Sequence, residues 1–205
     1  MQIKDKKAIV IGSSNGLGAA FTKELLRNSV AHDQIMTKNQ LTINKADIPC
    51  FVPSKAGMVS VAMLAMEHMG RDKGGKGGVL INIAEHLDVH CTAQLPVYTA
   101  TKQAIIGLSQ SLAQPYHYQR TGVRIIVLCP GLTESPVLEN LKSEEFVPRP
   151  EELMDAMKEI HRQRAESVAH ALVYVIRCAQ NGSVWISEDG KPVYEIQMPD
   201  TLPTK

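Results

Sequence analysis

The chain has 205 residues, 44% apolar and 21% charged, enough to bury one substantial core and too well mixed for a disordered tract. With 22 basic and 21 acidic residues the formal charge is +1, so no global field draws in nucleic acid or an anionic membrane surface, and no run reaches the roughly eighteen apolar residues of a membrane-spanning helix. Cys50, Cys91, Cys129 and Cys178 lie far apart without CxxC spacing, which argues against a zinc cage and for reduced thiols in a cytoplasmic protein.

The opening "MQIKDKKAIVIG" carries an apolar run too short for a signal-peptide core. Residues 7–11 read as a β-branched strand closed by Gly12, and Leu17, Phe21, Leu25 and Leu26 follow at helical spacing. Residues 30–56 fit least well, with two weak alternating runs, no clear helix and no room for two parallel crossovers. "MVSVAMLAMEHM" predicts a buried helix whose methionines fill core space. After the basic, glycine-rich "GRDKGGKGG" comes a strand at 79–83, then a helix over 100–112 and a third strand at 123–128 closed by "CPG". "EELMDAMKEI" and "SVAHALVYVI" predict helices, and "SVWISEDGKPVYEI" predicts a last strand with a turn at Asp189 and Gly190, Trp185 serving as a packing residue. Strands alternating with helices imply one domain, 1–205, built on a doubly wound, mostly parallel sheet with helices on both faces, residues 30–56 being its atypical part.

Two stretches carry chemistry. "IGSSNGLG" sets Gly12, Gly16 and Gly18 between a strand and a helix, where a glycine turn lets backbone amides and the positive helix end meet a pyrophosphate. The triplet alone serves a tight turn equally well. Tyr98 and Lys102, four apart in a helical stretch, share one face, and an ammonium beside a phenol favours the phenolate needed for proton exchange. Alone, that spacing also arises on solvated helix faces.

Together, "IGSSNGLG", "YTATK" and "CPGLTES" stand in the order of the short-chain dehydrogenase/reductase family, which the chain resembles over residues 1–29 and about 57–197. "AMEHMGRDKGGKGGVLINIA", "LPVYTATKQAIIGLSQSLA" and "GVRIIVLCPGLTESPVL" are similar to the NAD-using branch of 15-hydroxyprostaglandin dehydrogenase and insect alcohol dehydrogenase-like proteins. The resemblance implies a Rossmann-like fold and hydride transfer between NAD and a secondary alcohol or ketone of a small apolar or lipid-like substrate. It implies Tyr98 as proton donor or acceptor, with Lys102 tuning it and holding the ribose. Gly12, Ser14, Asn15, Gly16, Leu17 and Gly18 would hold the dinucleotide, together with Pro130, Gly131, Thr133 and Ser135 near the nicotinamide. Helices at "MVSVAMLAMEHM" and "AIIGLSQSLA" imply a homodimer.

The pattern breaks at Glu85, thirteen residues before Tyr98, where the family carries a catalytic serine. A serine hydroxyl donates to the substrate oxygen, whereas a carboxylate only accepts. Against a phenolate about 4 Å away it costs on the order of 4 kcal/mol at an effective dielectric near 20. A protonated Glu85 can still donate, and an outward-pointing one does neither. About fifty residues of the family's middle are also missing, which removes strands on the adenine side and leaves no strand-end acid beyond Asp33 for the ribose. Hence a second reading stands beside the enzyme: a catalytically impaired pseudoenzyme, or a truncated isoform, keeping the fold for binding or assembly. Glu85, His86, Asp88 and His90 follow a strand directly and read as a polar loop, so no metal site is expected.

Overall fold

The computed structural model of the chain describes residues 3–4, 8–11, 16–30, 35–38, 53–85, 94–134 and 149–198. The first β-branched run forms β1 (Ala8–Ile11), and the helical spacing after the glycine turn forms α1 (Gly16–Arg27), which opens on Gly16 at a φ of 52°. Such a φ costs a residue with a Cβ and suits glycine. β2 (Ile35–Lys38) lies parallel to β1, Ala8 opposite Ile35 and Ile11 opposite Lys38, with α1 as the crossover that a parallel pair requires. One such unit therefore fits before residue 56, and it uses one of the two weak alternating runs.

α2 (Pro53–Met69) begins ahead of the expected Met58, its first residue a proline whose missing amide would be unpaired there in any case. The glycine-rich segment that follows holds a short 3-10 turn at Arg71–Lys73, ended by Gly74 at a φ of 88°. Then come β3 (Gly78–Ile83), α3 (Pro96–Leu112), α4 (Pro115–Thr121), β4 (Val123–Pro130), α5 (Pro150–Ala156), α6 (Ala165–Cys178), β5 (Val184–Ser187) and β6 (Tyr194–Ile196). α4 is absent from the sequence expectation because seven residues, "PYHYQRT", are too few to display a helical period. Its ends are nevertheless written locally, in Pro115 at the start and Gly122 at a φ of 62° after it.

The fold is α/β and mostly parallel, as expected. Among the described residues the strands form two ladders, β1–β2 and β3–β4–β5–β6. β3, β4 and β5 run parallel, and β6 returns antiparallel beyond the turn in which Asp189 and Gly190 both take positive φ. The last strand is thus an antiparallel pair.

β4 shows why the helices sit on both faces. Its residues alternate, Val123, Ile125, Val127 and Cys129 facing α2 and α3 while Ile126 and Leu128 face α1 and α6. Ile125, Ile126 and Leu128 are fully enclosed, each burial stabilising by roughly 1.5–3 kcal/mol. On the α1 and α6 side, Val10 of β1 joins Phe21, Leu25, Leu128, Val168 and Leu172, so β1 shares a core with the four-stranded ladder. Ile9, on the opposite face of β1, is 65% exposed. Arg124 donates to the carbonyls of Ile176 and Ala179, satisfying acceptors that the end of α6 would leave unpaired. Among the described residues no helix is long and apolar enough to cross a membrane.

Candidate active site

Because β3, β4 and β5 are parallel, their carboxyl ends share one edge, the place where an open α/β sheet presents a crevice. β3 ends into Ala84 and Glu85, β4 into Gly131 and Thr133, and β5 at Ser187. Pro96 starts α3, so Tyr98 and Lys102 occupy its first two turns, beside that edge. A buried polar contact holds the helix in place: Asn82 of β3 donates to the Ser109 hydroxyl at 2.8 Å, which in turn donates to the Ile105 carbonyl at 2.6 Å. Such a pair is costly to break in a dry interior.

Tyr98, Lys102 and Glu85 come together. The Tyr98 hydroxyl donates to Oε2 of Glu85. The Lys102 ammonium donates to the Ala84 carbonyl at 3.3 Å and stands 5.5 Å from the centre of the Tyr98 ring. Of the orientations open to Glu85, the structure adopts the one directed at the phenol. The half-buried Tyr98 ring packs on Leu95, Leu132, Leu153 and Met157, joined by Ile160, so an apolar wall drawn from α3, α5 and the loop after β4 flanks the polar group.

The loop after β4 is held tightly. Gly131 donates to the Ser187 carbonyl at 2.7 Å, and a Cβ on Gly131 would come within 2.9 Å of the Glu188 Cβ, so glycine is needed there for close packing against β5. Thr133, buried, donates to the Gly131 carbonyl at 2.7 Å and accepts from Gln163 at 3.3 Å. The Thr133 hydroxyl thus has its partners within the protein. Ser135, Gly12, Ser14 and Asn15, like His86, Asp88 and His90, lie outside the described residues. Among the described residues no group of three His, Cys, Asp or Glu is arranged for a metal ion.

Gln163 was not singled out from sequence. Only 3% exposed, it donates to Thr133 and, at 2.6 Å, to the Ser187 carbonyl, and it accepts from the Gly190 amide at 3.4 Å. A glutamine in "HRQRAES" looks like any other polar loop residue, so the sequence carried no signal for it. Asn82 did leave one, as a lone amide within the apolar "VLINIA".

The donor set fits a dinucleotide in kind. α1 opens at Gly16, Leu17 and Gly18 with no carboxylate in its first turn, so its positive end suits an anion. Lys102 adds an ammonium at the neighbouring strand end, suited to ribose hydroxyls.

The family model described as short chain dehydrogenase matches residues 37–145. Alcohol dehydrogenase 1 of Ceratitis capitata is 32% identical over 134 residues, 65% of this chain and 52% of that protein. The 15-hydroxyprostaglandin dehydrogenase [NAD(+)] of Rattus norvegicus is 33% identical over 132 residues, 62% of this chain and 50% of that one. The chain spans about half the length of the curated relatives it matches. In fold it is similar to a short chain dehydrogenase from Burkholderia cenocepacia J2315 solved in complex with NADP, with a TM-score of 0.65 at 15% identity, covering 92% of this chain and 98% of that one. A short-chain type dehydrogenase/reductase from Mycobacterium ulcerans gives a TM-score of 0.68 at 15% identity, covering 93% and 90%.

Proposed function

This chain belongs to the short-chain dehydrogenase family, and from that membership we propose that it is an oxidoreductase exchanging hydride between a nicotinamide dinucleotide and a secondary alcohol or ketone on a small apolar body. The single observation that carries the reading is the Lys102 ammonium standing 5.5 Å from the centre of the Tyr98 ring beside the carboxyl end of β3.

In this reading α1's N-terminus at Gly16, Leu17 and Gly18 holds the pyrophosphate, with Gly12, Ser14 and Asn15 of the same turn. Lys102 holds ribose hydroxyls. Pro130, Gly131, Thr133 and Ser135 border the nicotinamide. When bound, the nicotinamide supplies the hydride acceptor or donor. Tyr98 exchanges a proton with the substrate oxygen, and Lys102 supplies positive charge while the phenol oxygen is negative. The cluster of Leu95, Leu132, Leu153, Met157 and Ile160 backs the Tyr98 ring and keeps water from that side of it. NAD is the favoured dinucleotide because relatives carry it in their name, and titration of NAD and NADP into the protein tests that choice. The domain is taken as one unit over 1–205 and its setting as cytoplasmic. It pairs with a second copy through the exposed Val59, Met63 and Leu64 of α2 and Val97 of α3.

Purified protein given NAD and a panel of secondary alcohols is expected to form NADH, and Tyr98→Phe to abolish it. No NADH above the Tyr98→Phe background would end the alcohol as its substrate. A second reading, an impaired pseudoenzyme, is favoured by the hydrogen bond from Tyr98 to Glu85, which occupies the proton the reaction needs. Retained dinucleotide binding with no turnover of any substrate would select it.

A further inference from the structure

Glu85 places an acceptor against the one group that must handle the substrate's proton. Its carboxylate draws the Tyr98 hydroxyl and has no proton of its own to give. A substrate atom that displaces this hydrogen bond must therefore donate to Glu85.

An alcohol is poorly matched. Its single hydroxyl proton is the one Tyr98 takes, and what remains is an oxygen with growing negative charge against a carboxylate. An amino group is well matched, because it keeps N–H bonds to donate. An aliphatic amine arrives as an ammonium ion paired with the Glu85 carboxylate; once that carboxylate takes one of its protons, the carbon of the neutral amine gives up hydride to the oxidised nicotinamide, its C–H bond breaking as the nitrogen lone pair forms the second bond of an iminium ion. In that hydride step the carbon loses two electrons to the nicotinamide, no proton is released, and a positive charge appears on nitrogen. The Glu85 carboxylate is in direct contact with the Tyr98 oxygen, next to that nitrogen.

The geometry points to an amine as the ligand class of this site, its N–H groups donating to Glu85. This assignment rests on the hydride-transfer reading for its chemistry, but its recognition step is measurable without turnover.

The probes are cyclohexylamine and its near-isostere cyclohexanol, titrated by calorimetry into the wild type, Glu85→Ser and Glu85→Gln, each with and without saturating NAD. Binding of NAD itself and thermal unfolding are recorded for each protein. The wild type is expected to bind the amine roughly tenfold or more tightly than the alcohol, the scale of one close charge-assisted contact. Both variants are expected to lose that preference. Equal affinities in the wild type, binding of neither probe, or an amine preference that survives in a folded Glu85→Ser or Glu85→Gln would overturn the assignment. An amine preference that depends on Glu85 in a protein that fails to bind NAD would uphold amine recognition and sink the hydride-transfer reading instead.

Discussion

Replacing Glu85 with serine is the perturbation that reaches deepest into the site. In the wild type the phenol of Tyr98 touches a carboxylate, so each cycle that leaves negative charge on the phenol or on a substrate oxygen places two like charges side by side. Two unit charges about 4 Å apart at an effective dielectric near 20 repel by about 4 kcal/mol. Glu85 is partly open to water, which screens about half of that, leaving about 2 kcal/mol, or roughly thirtyfold in rate. Glu85→Ser removes the charge and adds a hydroxyl that can donate. Initial rates of NADH formation with secondary alcohols, measured alongside NAD affinity, are expected to rise by about that factor, and the gain is expected to vanish in Glu85→Ser combined with Tyr98→Phe. An unchanged or lower alcohol rate, with NAD affinity preserved, would refute the claim that the carboxylate is what restrains alcohol chemistry here.

Gln163→Leu leaves the Ser187 carbonyl, the Gly190 amide and the Thr133 hydroxyl short of partners in the interior, and is expected to cost about 2–3 kcal/mol in urea unfolding. Tyr194 donates to Glu188, whose hydrogen bond, with burial and charge adding to it, raises the phenol from 10.0 to about 12. The protonated form is the one favoured in the folded state, so this contribution to stability is complete below pH 10 and is lost as pH rises through about 12. Phenolate absorbance is expected to show one tyrosine titrating late, and Glu188→Gln to bring it back toward 10.0. Met63→Glu puts a charge on an exposed apolar stretch of α2, and sedimentation is expected to show a dimer in the wild type and a monomer in the variant. A wild type that sediments as a monomer would remove the homodimer from the proposal.

Much of the architecture was legible because it is local. Strand runs at 79–83 and 123–128 and the helical spacings around them are short-range patterns, and the parallel order follows from their alternation. α4 escaped because one short helix lacks a period, and the start of α2 escaped because Pro53 to Gly57 has no apolar rhythm of its own. The separation into two ladders also escaped, since a strand run does not state which strand it will pair with.

In the site, the sequence by itself determined that Tyr98 and Lys102 share a helix face and that an acidic residue follows β3, because covalent spacing and helical pitch settle both. Only the tertiary structure decided that the Glu85 carboxylate turns to the phenol thirteen residues away and that the Thr133 hydroxyl turns inward to its own loop. It alone brought Gln163 to Thr133, thirty positions back along the chain. The physical reason is the same in each case. A side chain's direction is set by the partners that packing brings within hydrogen-bond reach, and those partners are distant in sequence.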